Sequence, residues 1–273
     1  MNNSVIGAMV TMSGIQQRLD LLADNIANVN TVGYKRKEAS FEDTLTRVQQ
    51  HTSDLSLPGR ATPSGFNLGF GSRMSHIGLS FEQGSFKETG NFTDLAIEGN
   101  ALFSALTPDG TVVYTRAGDF HVQPDPDDEE AAFLVNNQGY VLLNAEGDPI
   151  TFSANAALSI DEQGNILATE GEETTALGRI ALLTPERPEA LQQRGDNLFV
   201  LAEGVDPAAA LVDTLTLPQN RQARVRQGML EESNVNLTDE MAEMVQVQRA
   251  YQLAARALTS GETMMGLANN LRG

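Results

Sequence analysis

The chain has 273 residues, enough for one large domain or two smaller ones. It has no cysteine, which excludes disulfides, thiolate metal sites and a Cys nucleophile, and its 5% aromatic content without Trp is lean for a deep apolar pocket. The net charge of −18 lies wholly in residues 51–218, because residues 1–50 carry five basic and five acidic side chains and residues 219–273 carry six of each. That acidic centre repels nucleic acid and anionic membrane, whereas the neutral ends are suited to packing.

The first element is a helix. Val5, Ala8, Met12, Ile15, Leu19, Leu22, Ile26 and Val29 alternate spacings of three and four without a break, which makes a heptad seam. A helix of these 25 or so residues is roughly 37 Å long. Gly7 and Gly14 lie off the seam and each costs up to ~1 kcal/mol, so the helix is marginal on its own. The same stretch has no basic leader region and is interrupted by polar residues, so no cleaved secretory leader is expected, and no run reaches the ~18 apolar residues of a membrane span.

In "DNIANVNTVGYKR" the seam is predicted to end at Val29. Asn30 is suited to a left-handed helix end and Gly33 to a positive φ, after which Tyr34 to Lys37 run extended. Asn25 and Asn28 are placed to bond neighbouring backbone or another subunit. Residues 34–80 are expected to form an extended connector, with 49–80 rich in Gly, Ser, Thr and Pro. A connector this long is uncommon inside a compact monomer and fits better against a neighbouring subunit.

From Phe81 to residue 224 the helical period gives way to short β-prone runs separated by turn residues, which predicts an antiparallel β domain. Asp109-Gly110, Gln138-Gly139 and Gly164-Asn165 are the expected hairpin tips. "GRIALLT" and "DNLFVLA" read as further strands. "PDPDDEE", residues 124–130, lacks the spacing of a calcium loop and reads as a solvated acidic loop, while "DEQGN" reads as a turn. "GFNLGFGSR" lacks the ending of a phosphate-binding loop, and His51, His76 and His121 lie far apart. No nucleophile, base and oxyanion site come together, so neither catalysis, a cofactor, a metal nor a small-molecule substrate is expected.

Residues 225–273 return to helical spacing. Leu237, Met244, Val247, Tyr251, Ala254, Leu258 and Met265 follow the seam, with Met241 and Val245 widening it and Gly261 on it. Asn236 is a candidate N-cap, and Asp239 and Glu240 favour the first turn. The fold expected is therefore α+β. Residues 1–33 and 225–273 form a coiled-coil-like helical assembly domain, and a mostly antiparallel β domain fills the centre. One helical pair leaves apolar surface uncovered, so further copies are expected.

"LLADNIANVNTVGYKRKEASFED" and "GMLEESNVNLTDEMAEMVQVQRAYQLAARALTSGETMM" resemble the two terminal signatures of the bacterial flagellar rod and hook (axial) family. "GNFTDLAIEGNALFSAL", "YTRAGDF" and "LVNNQGYVLL" match that family's pattern between them. The residues carrying the resemblance include Asn25, Asn28, Asn30, Thr31, Gly33, Tyr34, Ser233, Asn234, Gln248, Arg249 and Tyr251. Asp24, where the family more often has Asn, and the acidic "PDPDDEE" loop depart from it. Length and "TPSGFNLGFGSRM" are most similar to subunits of the distal rod; a proximal rod or rod–hook junction subunit is the alternative.

The resemblance implies a subunit that leaves through the flagellar type III export apparatus without a cleaved leader. It implies helical stacking with copies of itself and with other rod and hook proteins, and transmission of motor torque in the basal body, outside the cytoplasmic membrane. Val5, Met12, Ile15, Leu19, Leu22, Ile26 and Val29 would pack with Met244, Val247, Tyr251 and Leu258 within or between subunits. A different class, an acidic β binding module tethered by its helical ends, requires those seams to pair within one chain.

Overall fold

The computed structural model describes residues 2–43, 72–125, 130–154, 156–171, 173–195, 197–202 and 204–270. They divide into two compact units: one draws on Met1–Ala27, Lys37–Gly78 and Asn236–Gly273, the other on Asn28–Arg36 and Leu79–Val235. Most of the expected connector, "PDPDDEE" apart from its ends, and His51 lie outside the described residues.

The first unit is helical. Asn2–Ala27 and Leu237–Asn270 are α-helices that pack against each other. Arg18 pairs with Glu243 and Asn25 reaches Glu240, so the partners run in opposite directions and the helices are antiparallel. The Asn236 side chain accepts from Thr238 N at 3.0 Å and caps the second helix, with Asp239 and Glu240 in its first turn. Lys37–Asp43 and Ser72–Leu79 pair as a two-stranded sheet beside the helices, and the Ser40 and Ser75 hydroxyls lie 3.1 Å apart across it.

The N-terminal helix stops at Ala27, not at Val29. Residues 28–33 form successive turns, with Thr31 N on Asn28 O and Tyr34 N on Thr31 O. Asn30 does not take the left-handed conformation; Gly33 does, at φ 66°. The helix gives way there to turns at Asn28 and Asn30, a residue type that favours turns over helix interiors.

The second unit is the β unit. Its largest sheet has ten strands, all paired antiparallel. At its centre Leu102–Leu106 pairs Val112–Thr115 and Leu182–Pro185. All three expected tips are hairpin tips, with Gly110, Gly139 and Gly164 at φ 78°, 81° and 84°. Ala157–Ile160, Asn165–Glu170 and Glu173–Arg179 form a three-stranded antiparallel sheet. There Leu177 is an extra residue opposite the Ile166/Leu167 step, and Glu173–Arg179 is the outer strand. "GRIALLT" is therefore not one strand: it ends one sheet at Arg179, bridges Asn144 through Ile180, and enters the larger sheet at Leu182.

The unit closes on itself late in the chain. Arg224–Gln227 pairs antiparallel with Leu95–Glu98, and Met229–Glu231 with Phe86–Glu88. The main core gathers Leu95, Ile97, Phe103, Phe120, Leu134, Ile166 and Ile180 with Ala223 and Val225 from that returning segment. Phe103 and Phe120 meet edge to face at 5.3 Å.

Candidate assembly site and its buried anchor

On the helical pair, Leu22 and Val247 are 2% and 5% exposed, and Met12, Ile15, Leu19, Ile26, Met244, Tyr251, Ala254 and Leu258 are half-buried. Val5 lies on the helix, but its side chain and that of Met265 are outside the described set; Val29 lies beyond the helix end, among the turns of the β unit. Met241 and Val245 do not widen the buried seam. They are 51% and 47% exposed, and with Leu253, Met264 and Leu267 they give the second helix an outward apolar face. The 3.6-residue period explains this: residues 244, 247, 251, 254 and 258 hold one side, and 241, 245, 253, 264 and 267 fall broadly opposite. Gln248 and Arg249 are exposed on the same helix.

Asn25 is fully buried and works as a backbone mimic. Its Oδ1 accepts from Lys37 N and its Nδ2 donates to Lys37 O, both at 3.0 Å, and Nδ2 also lies 3.3 Å from Glu240 Oε2. The amide is the side chain that fits, because it offers one acceptor and two donors on a single plane. The Asp24 carboxylate adds an ion pair to the Lys37 ammonium at 2.5 Å. Together they tie the residues on either side of the 28–36 loop.

That loop is held by the β unit at five consecutive residues. Asn197 Nδ2 donates to Val32 O at 3.0 Å, and Gly33 N donates to Glu231 O at 2.8 Å. Tyr34 is buried at 2% exposure. The Lys35 ammonium donates to Glu82 O at 2.6 Å and Glu231 Oε1 at 2.8 Å, and Arg36 N donates to Asn234 Oδ1 at 2.7 Å. Asn234 returns its amide to Ser80 O and Glu82 O, and Ser233 Oγ, buried, accepts from Val235 N. The Thr31 hydroxyl donates to Asn28 Oδ1, and Asn30 is exposed.

At the centre of this anchor Glu231 lies between two cations. Its Oε2 accepts from Arg116 Nε at 2.5 Å, and its Oε1 accepts from Lys35 Nζ and from Gly84 N at 2.9 Å. The Arg116 guanidinium also donates to the carbonyls of Ala101, Ile97 and Gly99. All three side chains are 1–2% exposed. Burial pushes the Lys35 ammonium below its ordinary value, with the Arg116 charge adding to this and Glu231 opposing it. Burial likewise pulls Arg116 down against Glu231. Burial alone would raise Glu231, but the Arg116 and Lys35 charges and the donors around it hold its carboxyl below the usual range. Such a cluster adds little net stability, but it fixes one arrangement, because losing one member strands the others.

Two glycines let the backbones meet here. A Cβ on Gly33 would lie 2.5 Å from Ala117 N, and one on Gly118 would lie 1.6 Å from Leu95 O. Spacing alone does not single out Lys35, Arg116 and Glu231 as anchor residues, and it gives Glu240 only a place in the first turn of its helix. The available signal was that the first three lie inside the quoted motifs "VGYKR", "YTRAGDF" and "GMLEESN".

Among the described residues no group of His, Asp and Glu is placed to hold a metal ion, and no helix is long and apolar enough to cross a membrane. An open groove lined by Asn144, Asp161, Arg179 and Leu215 has its arginine engaged by Asp213. Paired terminal helices with a second apolar face, and a β unit locked to the segments that lead into both, define a structural assembly subunit.

Residues 8–35 match the family described as "Flagella basal body rod protein", residues 96–174 "Flagellar hook protein FlgE/F/G D1 domain", and residues 226–271 "Flagellar basal body rod FlgEFG protein C-terminal". The chain belongs to the flagellar basal-body rod and hook protein family. It is 33% identical to the flagellar basal-body rod protein FlgG of Borreliella burgdorferi over 96% of this chain and 95% of that one. It is 30% identical to the flagellar hook-basal body complex protein FlhP and 32% identical to FlgG of Bacillus subtilis, in each case over the whole of both chains. Its class is thus a structural subunit of the flagellar basal body that works with other rod and hook components. The three matched spans contain the Asn25, Lys35, Arg116, Glu231 and Glu240 positions described above.

Proposed function

We propose that this chain polymerises helically with copies of itself through its terminal helices and forms a segment of the distal rod, the shaft that carries motor torque to the hook. The observation that supports this most directly is the second apolar face of the C-terminal helix, with Leu253 and Leu267 at 65% and 64% exposure. A helix that has already packed one seam against its partner gains nothing from such a face in water, and a face of this kind marks an association surface. The neutral terminal segments favour close packing of many copies, and the acidic centre favours an outward, hydrated position. Export through the flagellar type III apparatus, without a cleaved leader, belongs to the same reading. So does packing of the 34–80 connector between subunits. FlhP, matched along its whole length, supports a second reading in which the subunit sits nearer the rod–hook junction.

The test is Leu253→Asp with Leu267→Asp in a strain lacking its own copy of the gene. Purified variant protein should keep the circular dichroism of the wild type, while cells lose swimming and isolated basal bodies end before this segment. Normal swimming in that strain would refute polymerisation through this face. Antibody labelling of wild-type basal bodies then separates the two positions along the shaft.

A further inference from the structure

We infer that the β unit carries a completion latch: the 28–36 segment docks only when the segment around Glu231 has joined the fold. The two segments are nearly 200 positions apart, yet Gly33 N donates to Glu231 O and the Lys35 ammonium to the Glu231 carboxylate. Before Glu231 arrives, docking the loop would bury Lys35 beside Arg116 with no anion between them. Two unpaired cations in a dry site are strongly disfavoured. The strands agree with the charges. Among the described residues, Leu95–Glu98 and Phe86–Glu88 take their ladder partners from Arg224–Gln227 and Met229–Glu231, and the main core lacks Ala223 and Val225 until then.

A chain that emerges N-terminus first from a ribosome or a channel thus keeps its signature loop undocked until residue 231 is free. Separation in sequence makes such pairings slow to close and lets them act as a gate on the order of folding. This inference concerns the β unit alone and stands whether or not the chain polymerises into a rod.

The test is refolding of the full-length protein from urea, with amide protons pulse-labelled at increasing times. Residues 32–36 and 96–98 should gain protection together with 224–231, no earlier, while Leu102–Leu106 and Val112–Thr115, and the Leu95 amide held by Gly118 O, are free to lead. Protection of 32–36 ahead of 224–231 would overturn the latch. A second measurement uses Glu231→Gln at equilibrium. It should raise exchange at 32–36 at least tenfold while 102–115 stays protected; native protection at 32–36 in that variant would also overturn it. Should that variant fail to fold, the wild-type time course decides alone.

Discussion

Replacing Gly33 by Ala probes how tightly the signature loop is seated. The residue sits at φ 66°, where a side chain costs about 1–2 kcal/mol. The added Cβ would meet Ala117 N at 2.5 Å, the Arg116 carbonyl carbon at 2.6 Å and Ala117 Cα at 2.8 Å. All three are backbone atoms, and that backbone cannot retreat easily. Arg116 is fixed by Glu231 and three carbonyls, and the next residue, Gly118, already lies against Leu95 O. Overpacking of a seated segment adds about 1–3 kcal/mol, so the expected loss is about 2–5 kcal/mol. Gly139 supplies the control. It has φ 81° with nothing within 4 Å of the new Cβ, so Gly139→Ala should show only the conformational cost, about 1–2 kcal/mol. Urea unfolding of dilute protein, followed by circular dichroism, gives both values from the midpoints at equal slope. Equal losses at the two positions would refute a tightly seated loop.

Three further outcomes follow from the same contacts. Asn25→Asp places a carboxylate beside Glu240 and removes the donor to Lys37 O, so it should lower stability at pH 7 by about 1–3 kcal/mol in urea unfolding; unchanged stability would count against the amide's role. Glu231 titrates below its reference of 4.5 in the folded chain, so its contribution is present above about pH 4.5 and is lost as pH falls through the lower folded value. A Lys35→Met, Arg116→Met, Glu231→Leu triple variant should therefore lose less stability than wild type between pH 5 and 3, and parallel curves would refute this. On the helices, Leu22→Ala should cost about 2–5 kcal/mol and speed amide exchange in dilute protein, whereas Leu253→Ala should stay within about 0.5 kcal/mol. No change in exchange for Leu22→Ala would mean that the free chain does not hold its helices together.

The α+β class and the helical ends were legible because each leaves a local mark. The three–four alternation through Leu22 needs only one helix to be seen, and a Gly at 110, 139 or 164 marks its own turn. The early stop at Ala27 was not legible, since Ile26 and Val29 keep the spacing while Asn28 and Asn30 favour turns. Spacing also does not say which side of a wide stripe is covered: Met241 and Val245 keep the spacing yet face away from the buried seam. The anchor was hidden for another reason. Lys, Arg and Glu are normally solvated, and a buried trio drawn from positions 35, 116 and 231 is defined only by the fold that joins them. The return of Arg224–Gln227 to Leu95–Glu98 is invisible for the same cause: nothing in either strand names its partner.

The outer strand Glu173–Arg179 has a consequence of its own. Among the described residues its ladder pairs on one side only, and Glu173 to Ala176 are exposed. Where many copies stand close together, an open ladder of this kind is where mispairing would begin and spread into aggregate. The extra Leu177 breaks the ladder's flatness, and the strand starts on a carboxylate and ends on a guanidinium. A neighbour approaching edge to edge would meet a kink and the Glu173 carboxylate instead of a continuous row of amides. Crowding is thereby made safe at the surface most prone to go wrong, and straightening the strand by deleting Leu177 would remove that protection.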